Sequence, residues 1–451
     1  MSVPYNPPMH RPVDRIVDLL DPTRNQLHNV NLEEARRRIV AGDPAAVRAI
    51  DGSFAIVTID GLKVLMARSL DRPMRYFLAK RQEGPALFVA DRIDTLQRAL
   101  DGAGLGQQFH PSYTRMIPAH YIVEIALVGC PDPDPIYTRF FTPVRGTLAP
   151  DLDEIGRRYI GALSDEVTKW LRDVDGGGGG SEPIGVTFSG GIDSGSVFLV
   201  LYDAMLRLGM APTRLKAFVL NLGNGSDVEQ ARAFLARTGM SMFLEEIGGC
   251  ADDLDVEHTL RVLEDYKPLD VECAAMGMRL CRGIRERYPD WRFLADGDGG
   301  DENLKDYPIE ENPELTIRSV VDNLMLYHEG WGVGRIKHSL TYSGGLSRSY
   351  VRTYAPATTY GFTGFSPYTR PNVIEVAEGI PFAALTGYDV PTLYQLKGDI
   401  VRRGVKAVTG LDMPTYPKRR FQHGATSIET MRGRLGHSER DYRHAFERLY
   451  A

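Results

Sequence analysis

Along the first third of the chain, apolar residues come in short runs. Ser53–Asp60 (SFAIVTID), Lys63–Ala67 (KVLMA), Ala86–Ala90 (ALFVA) and Tyr121–Leu127 (YIVEIAL) are β-rich and bounded by Gly, Asp or Pro. Such runs read as strands. Helical spacing is confined to Leu32–Ala41 and Ile93–Leu100. This predicts an α+β domain on layered antiparallel sheet. The turn-rich FTPVRGTLAPDLDE (Phe141–Glu154) follows, and an amphipathic helix starts near Asp151. Two domains are therefore expected, residues 1–148 and 149–451.

In the second domain, apolar strands alternate with longer helical patterns. Ile184–Phe188 precedes a helix over Ser194–Leu208, and Leu215–Leu220 precedes one over Asp227–Thr238. Phe243–Ile247 and Arg292–Leu294 are further strands. That alternation indicates βαβ units on a parallel sheet, an α/β fold. From about Asn312 the pattern is mainly helical, with loops at Thr341–Ser349 and Ala355–Arg370. The glycine run in DVDGGGGGSEP (Asp173–Pro183) cannot hold helix or strand, so it is an exposed loop, within a domain or between domains.

Composition narrows the function classes. A formal net charge of −6 argues against a general nucleic-acid binder. The four cysteines are Cys130, Cys250, Cys273 and Cys281. They form no CxxC pair, so reduced thiols are expected rather than a zinc site or a disulfide framework. MSVPYNPPMHRPVDR has no apolar signal core, and no apolar run is long enough to span a bilayer. A cytoplasmic protein is expected, with neither nucleic acid nor membrane as partner.

The chemistry concentrates in two loops. VTFSGGIDSGS (Val186–Ser196) ends an apolar strand in small residues and opens a helix. Backbone N–H groups and a helix N-terminus there suit a phosphate, and Ser189, Ser194 and Ser196 can donate hydroxyls. The lysine of a Walker loop is missing. Asp193 would repel a phosphate unless Mg²⁺ lay between them, and Mg²⁺ is held by one or two carboxylates plus substrate phosphates. LADGDGGDENLKDY (Leu294–Tyr307) ends the next strand in Asp296, Asp298, Asp301 and Glu302 among glycines. Its spacing is not that of an EF-hand. A Ca²⁺-like or merely solvated acidic turn is one reading; beside the first loop, a shared site for Mg²⁺ and phosphate is the simplest, with Asp193 and Asp301 as metal ligands from different strand ends.

SGGIDSGS resembles the SGGxDSS pyrophosphate loop of N-type ATP pyrophosphatases, and DGDGGDE resembles the SGEGSDE loop of asparagine and β-lactam synthetases. Gly297, Gly299, Asp301 and Glu302 match directly, Asp298 stands where the family has glutamate, and Asp296 where it has serine. The resemblance implies a nucleotide site of Ser189, Gly190, Gly191, Asp193, Ser194, Leu220, Asp296 and Gly297, with ATP and Mg²⁺. It gives Asp298 a catalytic role. In PTYPKRRFQHGA it points to Lys418 as the cation that reaches the acyl-adenylate phosphates, with Arg419 and Arg420 as weaker matches. Lys397, in the LKxxLR-like LYQLKGDIVRRGVK, is a second catalytic candidate. Glu375 in SPYTRPNVIEVAEGIPF matches an inward glutamate, read as structural or as lining the acceptor pocket.

Residues 51–142 are similar to the family's Ntn glutaminase domain through DGSFAIVTID, ARSLDRPMRYF, LFVADRIDTL and IPAHYIVEI. A glutaminase of that type uses an N-terminal cysteine activated by its own amine. Ser2 stands here instead, and residues 1–50 hold no NGEIYN-like or SDTE-like segment. A degenerate domain is expected. The activity this implies is an AMP- and pyrophosphate-forming ligase joining a small-molecule or peptide carboxylate to an amine without glutamine. An ungapped match puts Glu272 where the family's arginine holds aspartate, which favours an amine-bearing substrate. An ammonia-using asparagine synthetase and a non-catalytic ATP-binding scaffold are the alternatives. A homodimer is the assembly the resemblance suggests.

Overall fold

The structure is a computed structural model that describes residues 12–128, 134–176, 182–223, 225–307, 309–311, 315–322, 350–416 and 424–451. Ser2, Cys130, most of the glycine run, the Thr341–Ser349 loop and Lys418 with Arg419 and Arg420 lie outside the described residues. The chain divides into two compact units, Met1–Thr142 with Tyr450, and Pro143–Leu449 with Ala451.

The first unit holds two four-stranded sheets. The strands of these two sheets are β1 (Ile16–Asp18), β2 (Ala55–Asp60), β3 (Lys63–Arg68), β4 (Arg75–Ala79), β5 (Ala86–Ala90), β6 (Arg115–Met116), β7 (Tyr121–Ala126) and β8 (Ile136–Arg139), and the unit also holds a two-stranded antiparallel pair, Gln26–Leu27 with Gly52–Ser53. One sheet runs β1-β5-β4-β6 and the other β8-β7-β3-β2. All pairs are antiparallel except β1 on β5, which is parallel. Side chains of a strand alternate between faces. Tyr76, Leu87 and Val89 thus meet Val57, Val64, Met66 and Val123 between the sheets. Phe77, Ala79 and Phe88 face the other way, onto Leu96 and Leu100 of α2 (Ile93–Gly102). Helix α1 (Leu32–Ala41) packs on β2 and β3. The layering is helix, sheet, sheet, helix. The pattern-based strands are all present. Strand β4 was not among them, because its polar first residue, Arg75, is buried in a mostly apolar run.

The second unit is an α/β layer around one five-stranded sheet. Its strands are β9 (Ile184–Thr187), β10 (Leu215–Asn221), β11 (Leu244–Gly248), β12 (Phe293–Ala295) and β13 (Thr363–Phe365). The order is β11-β10-β9-β12-β13, and every pair is parallel. The chain leaves β9 toward β10 on one side and returns to β12 on the other. That reversal opens a crevice at the carboxyl ends of β9 and β12, the place where open parallel sheets bind ligands. Strand β13 corrects the expectation of a loop over Ala355–Arg370. Its three residues, TGF, are too few to show a period.

Helices clamp this crevice. They are α3 (Leu152–Asp175), α4 (Ile192–Arg207), α5 (Asp227–Arg237), α6 (Pro268–Arg287), α7 (Gly300–Leu304), α8 (Pro371–Glu378) and α9 (Val390–Thr409). Asp151 caps α3 by accepting from Asp153 and Glu154 N–H. Trp170 of α3 stacks on Phe365 of β13, with ring centroids 4.5 Å apart, and meets Phe293 of β12 edge-on. Helices α3 and α9 cross at a glycine pair. A Cβ on Gly156 would sit 2.7 Å from Ile400 O and 2.8 Å from Gly404 N, so only glycine permits the approach.

Candidate active site

The loop after β9 is shaped by close backbone contact. Gly190 has φ +72°, and a Cβ there would lie 2.9 Å from Ala231 N on α5. Gln230 Nε2 donates to Ser189 O at 3.2 Å, and Gly191 N donates to Ser189 Oγ at 3.3 Å. The cap of α4 is Gly191, which offers no side-chain acceptor. The first-turn N–H groups of a sixteen-residue helix are therefore left for solvent or an anion. Ser196 fixes the turn from beneath. Its Oγ donates to Asp193 O at 2.8 Å and shares a 2.6 Å hydrogen bond with Tyr368 OH.

The loop after β12 interlocks with it. A Cβ on Gly297 would lie 2.6 Å from Ser194 N, and one on Gly300 would overlap the Asp193 carboxylate. Gly299 takes φ +95° to turn into α7. Asp296 braces the turn: Oδ1 accepts from Asp298 N at 3.0 Å and Oδ2 from Ser366 Oγ at 2.9 Å. Burial, and then the nearby Asp298, push the Asp296 carboxyl well above the usual range, against those two hydrogen bonds. Asn303 Nδ2 anchors α7 by donating to Tyr368 O at 2.9 Å and Tyr159 OH at 3.2 Å.

Between the loops sits Lys397, 2% exposed on α9. Its Nζ lies 2.6 Å from Asp193 Oδ2, makes a short contact with Asp301 Oδ1, and lies 3.7 Å from Asp306 Oδ2. Burial alone would lower this ammonium pKa; the three aspartates reverse that and hold it well above the ordinary lysine value. The charge pattern continues outward. Asp298 is raised to about 7, chiefly by burial, with Arg352 and Thr353 opposing and Glu302 and Asp301 adding to the rise. Arg352 is held above its ordinary value, against burial, by Glu302, Cys273, Asp298 and Asp301. Glu302 is 2% exposed, and its carboxylate oxygens have no hydrogen-bond partner among the described residues.

The structure brings together Ser189, Gly190, Gly191, Asp193, Ser194, Asp296, Gly297, Asp301 and Lys397. Leu220 lies at the end of β10, but its side chain packs in the core with Phe218, Ile247, Met276 and Leu294. Glu375 is exposed, and the buried glutamate of α8 is Glu378, which pairs with Lys305 at 3.1 Å. On α6, Cys273 neighbours Arg352, whereas Glu272 neighbours Tyr442 of the Glu439–Arg448 helix. Adjacent helix residues point about 100° apart, so the ungapped match did not fix which one faces the acidic loop. Asp306, Arg352, Tyr368 and Asn303 had no role in the sequence reading. Tyr368 and Asn303 carry no motif of their own and emerge only from packing.

Residues 180–358 match the family model for asparagine synthase. This segment is an asparagine synthase domain. Its family are ATP-dependent carbon–nitrogen ligases, and both loops fall within the match, while Lys397 lies beyond it. The chain matches no curated protein. Among the described residues no helix is long and apolar enough to cross a membrane.

The donors of the asparagine synthase domain fit Mg²⁺. Two carboxylates from neighbouring strand ends already converge on a single cationic group, the Lys397 ammonium. Gly297 and Gly300 let the backbone of the second loop close directly on the first turn of α4. Among the described residues no three His, Cys, Asp or Glu side chains form a metal cage. Two carboxylates completed by phosphate oxygens and water are an ordinary Mg²⁺ set.

Proposed function

We propose that the chain is an AMP- and pyrophosphate-forming amide ligase: it adenylates a substrate carboxylate and passes the acyl group to an amine without hydrolysing glutamine. The convergence of Asp193, Asp301 and Lys397 on one point beside the glycine-lined N-terminus of α4 carries this reading. A carboxylate oxygen attacks the α-phosphorus of ATP, the bond to the β-phosphate oxygen breaks, and pyrophosphate leaves. The amine then attacks the acyl carbon, loses a proton, and AMP leaves with the oxygen it gained.

Ser189, Gly190 and Gly191 would wrap the departing pyrophosphate with N–H and O–H donors. Asp193 and Asp301 would hold Mg²⁺, which when bound neutralises charge on the phosphates. Lys397 would supply positive charge toward the same oxygens. Asp298, raised to about 7, is placed to take a proton near neutral pH. Lys418 is proposed as a further cation for the α-phosphate. Its chain neighbourhood supports this: Ala425 O accepts from Leu222 N at 3.1 Å, just past the end of β10.

Independence from glutamine rests on residues 1–50, which carry no NGEIYN-like or SDTE-like segment. The helix–sheet–sheet–helix layering of the first unit agrees with descent from a glutaminase-like domain. The reaction is proposed for the cytoplasm. The family match favours one second reading, asparagine formation from aspartate and ammonia.

Exchange of radiolabelled pyrophosphate into ATP, run over a panel of carboxylates with and without amines, tests the proposal. At least one specialised carboxylate should support exchange, and Asp301→Asn should lower it about a hundredfold or more while the circular dichroism stays native. Exchange with aspartate alone, yielding asparagine once ammonia is added, would replace the first reading with the second. No exchange with any carboxylate would favour an ATP-binding scaffold.

A further inference from the structure

The position shared by Asp193 and Asp301 is filled by a group of this chain. Lys397 Nζ contacts both carboxylates and is almost wholly buried. Its helix cannot easily drift: Leu393, Leu396, Ile400 and Val401 lie in the main core, and the Gly156–Gly404 crossing locks α9 onto α3. Two carboxylates held this close repel each other unless a cation lies between them. Lysine provides that cation without metal. A divalent ion entering alone would have to displace a buried ammonium from both partners, and a buried charge without a partner is strongly unfavourable. The alternative, metal and ammonium side by side against two carboxylates, leaves two cations in mutual repulsion.

ATP changes this balance, because its phosphates offer the ammonium another anion. Asp306 Oδ2, 3.7 Å from Nζ, offers the same lysine a third carboxylate outside the Asp193–Asp301 pair. On the nucleotide reading given above, we propose that Lys397 is the site's resident cation: it excludes free divalent metal and yields the Asp193–Asp301 position only when nucleotide phosphates arrive with the metal. Metal and nucleotide then load together, and the lysine ends on the phosphates.

Mn²⁺ is the probe, followed in the full-length chain by the electron paramagnetic resonance signal of the free ion, without nucleotide. The wild type should bind Mn²⁺ weakly, and Lys397→Met should bind it about tenfold more tightly or better. Equal affinities, or weaker binding by the variant, overturn the proposal. Thermal melting gives a second readout that needs only the wild type. Tm should rise with Mn²⁺ plus α,β-methylene-ATP and stay unchanged with Mn²⁺ alone. If Mn²⁺ alone raises wild-type Tm as far as the pair does, this proposal falls and the nucleotide reading stands. If the pair leaves Tm unchanged, the nucleotide reading falls and takes the proposal with it. Should Lys397→Met not fold, Lys397→Gln serves in the same titration, and the wild-type melts still decide.

Discussion

At the scale of single residues, charge placement separates what the sequence could show from what it could not. Asp193 and Asp301 announce themselves, since each interrupts a glycine-rich turn after an apolar strand. Lys397 sits in an ordinary amphipathic helix, and only folding puts it between two residues far away in sequence. The family resemblance already named Lys397, but not its place between the two aspartates; Arg352 and Asp306, which no motif marks, are invisible in the sequence. His120 shows a different residue-level effect, in the first unit. Burial, and then Arg68, Arg48 and Arg139, keep its imidazole neutral down to about 3, against an ordinary value of 6.5. The unfolded chain takes up that proton near 6.5 and the folded chain does not. Over the window from 6.5 down to about 3 the unfolded state therefore binds more protons, and stability falls as pH falls. Above 6.5 the contribution is fully present. His120→Asn, which tolerates the left-handed φ of +62°, should flatten this acid-side slope. Amide exchange protection of β7 between pH 4 and pH 7 would measure it; an unchanged slope in the variant would mean that another group sets the acid limit.

At the scale of elements, long periodic segments were legible and short ones were not. Strands β2, β3, β5 and β7 of the first unit and the β9–α4 and β10–α5 units follow from apolar runs, with boundaries moved by a residue or two, whereas β1, β4, β6 and β8 were not read. Strand β13 did not, because three residues flanked by Gly361 and Pro367 carry no alternation. Yet β13 sets the site: Phe365 O accepts from Asp296 N at 3.0 Å, and the turn after it supplies Ser366 and Tyr368. The α3–α9 crossing is equally hidden, since a glycine in a helix reads first as a weakness. Gly404→Ala would place a Cβ 2.4 Å-scale close to Ile160 and against the Gly156 backbone. The helices must separate, at a cost of about 1–3 kcal/mol in urea unfolding. Because Lys397 rides on α9, pyrophosphate exchange should fall further than the lost stability explains. A variant with wild-type stability and exchange would show that the crossing does not position the lysine.

At the scale of the whole molecule, an asparagine synthase domain over residues 180–358 follows a first unit of two facing sheets with a helix on either side. The parallel sheet and the position of both loops at strand ends were legible because both loops end apolar strands; the strand order that makes their junction a switch point was not. The identity of the substrate was not, because acceptor pockets are built from side chains scattered through the chain. What the proposed function requires is independent of that identity: one oxygen must pass from the substrate carboxylate to AMP. With a carboxylate labelled with heavy oxygen, mass spectrometry of the products tests this directly. The predicted result is one heavy oxygen in the phosphate of AMP and none in pyrophosphate. Label in inorganic phosphate beside ADP, or amide formed with AMP unlabelled, would contradict adenylation of the carboxylate.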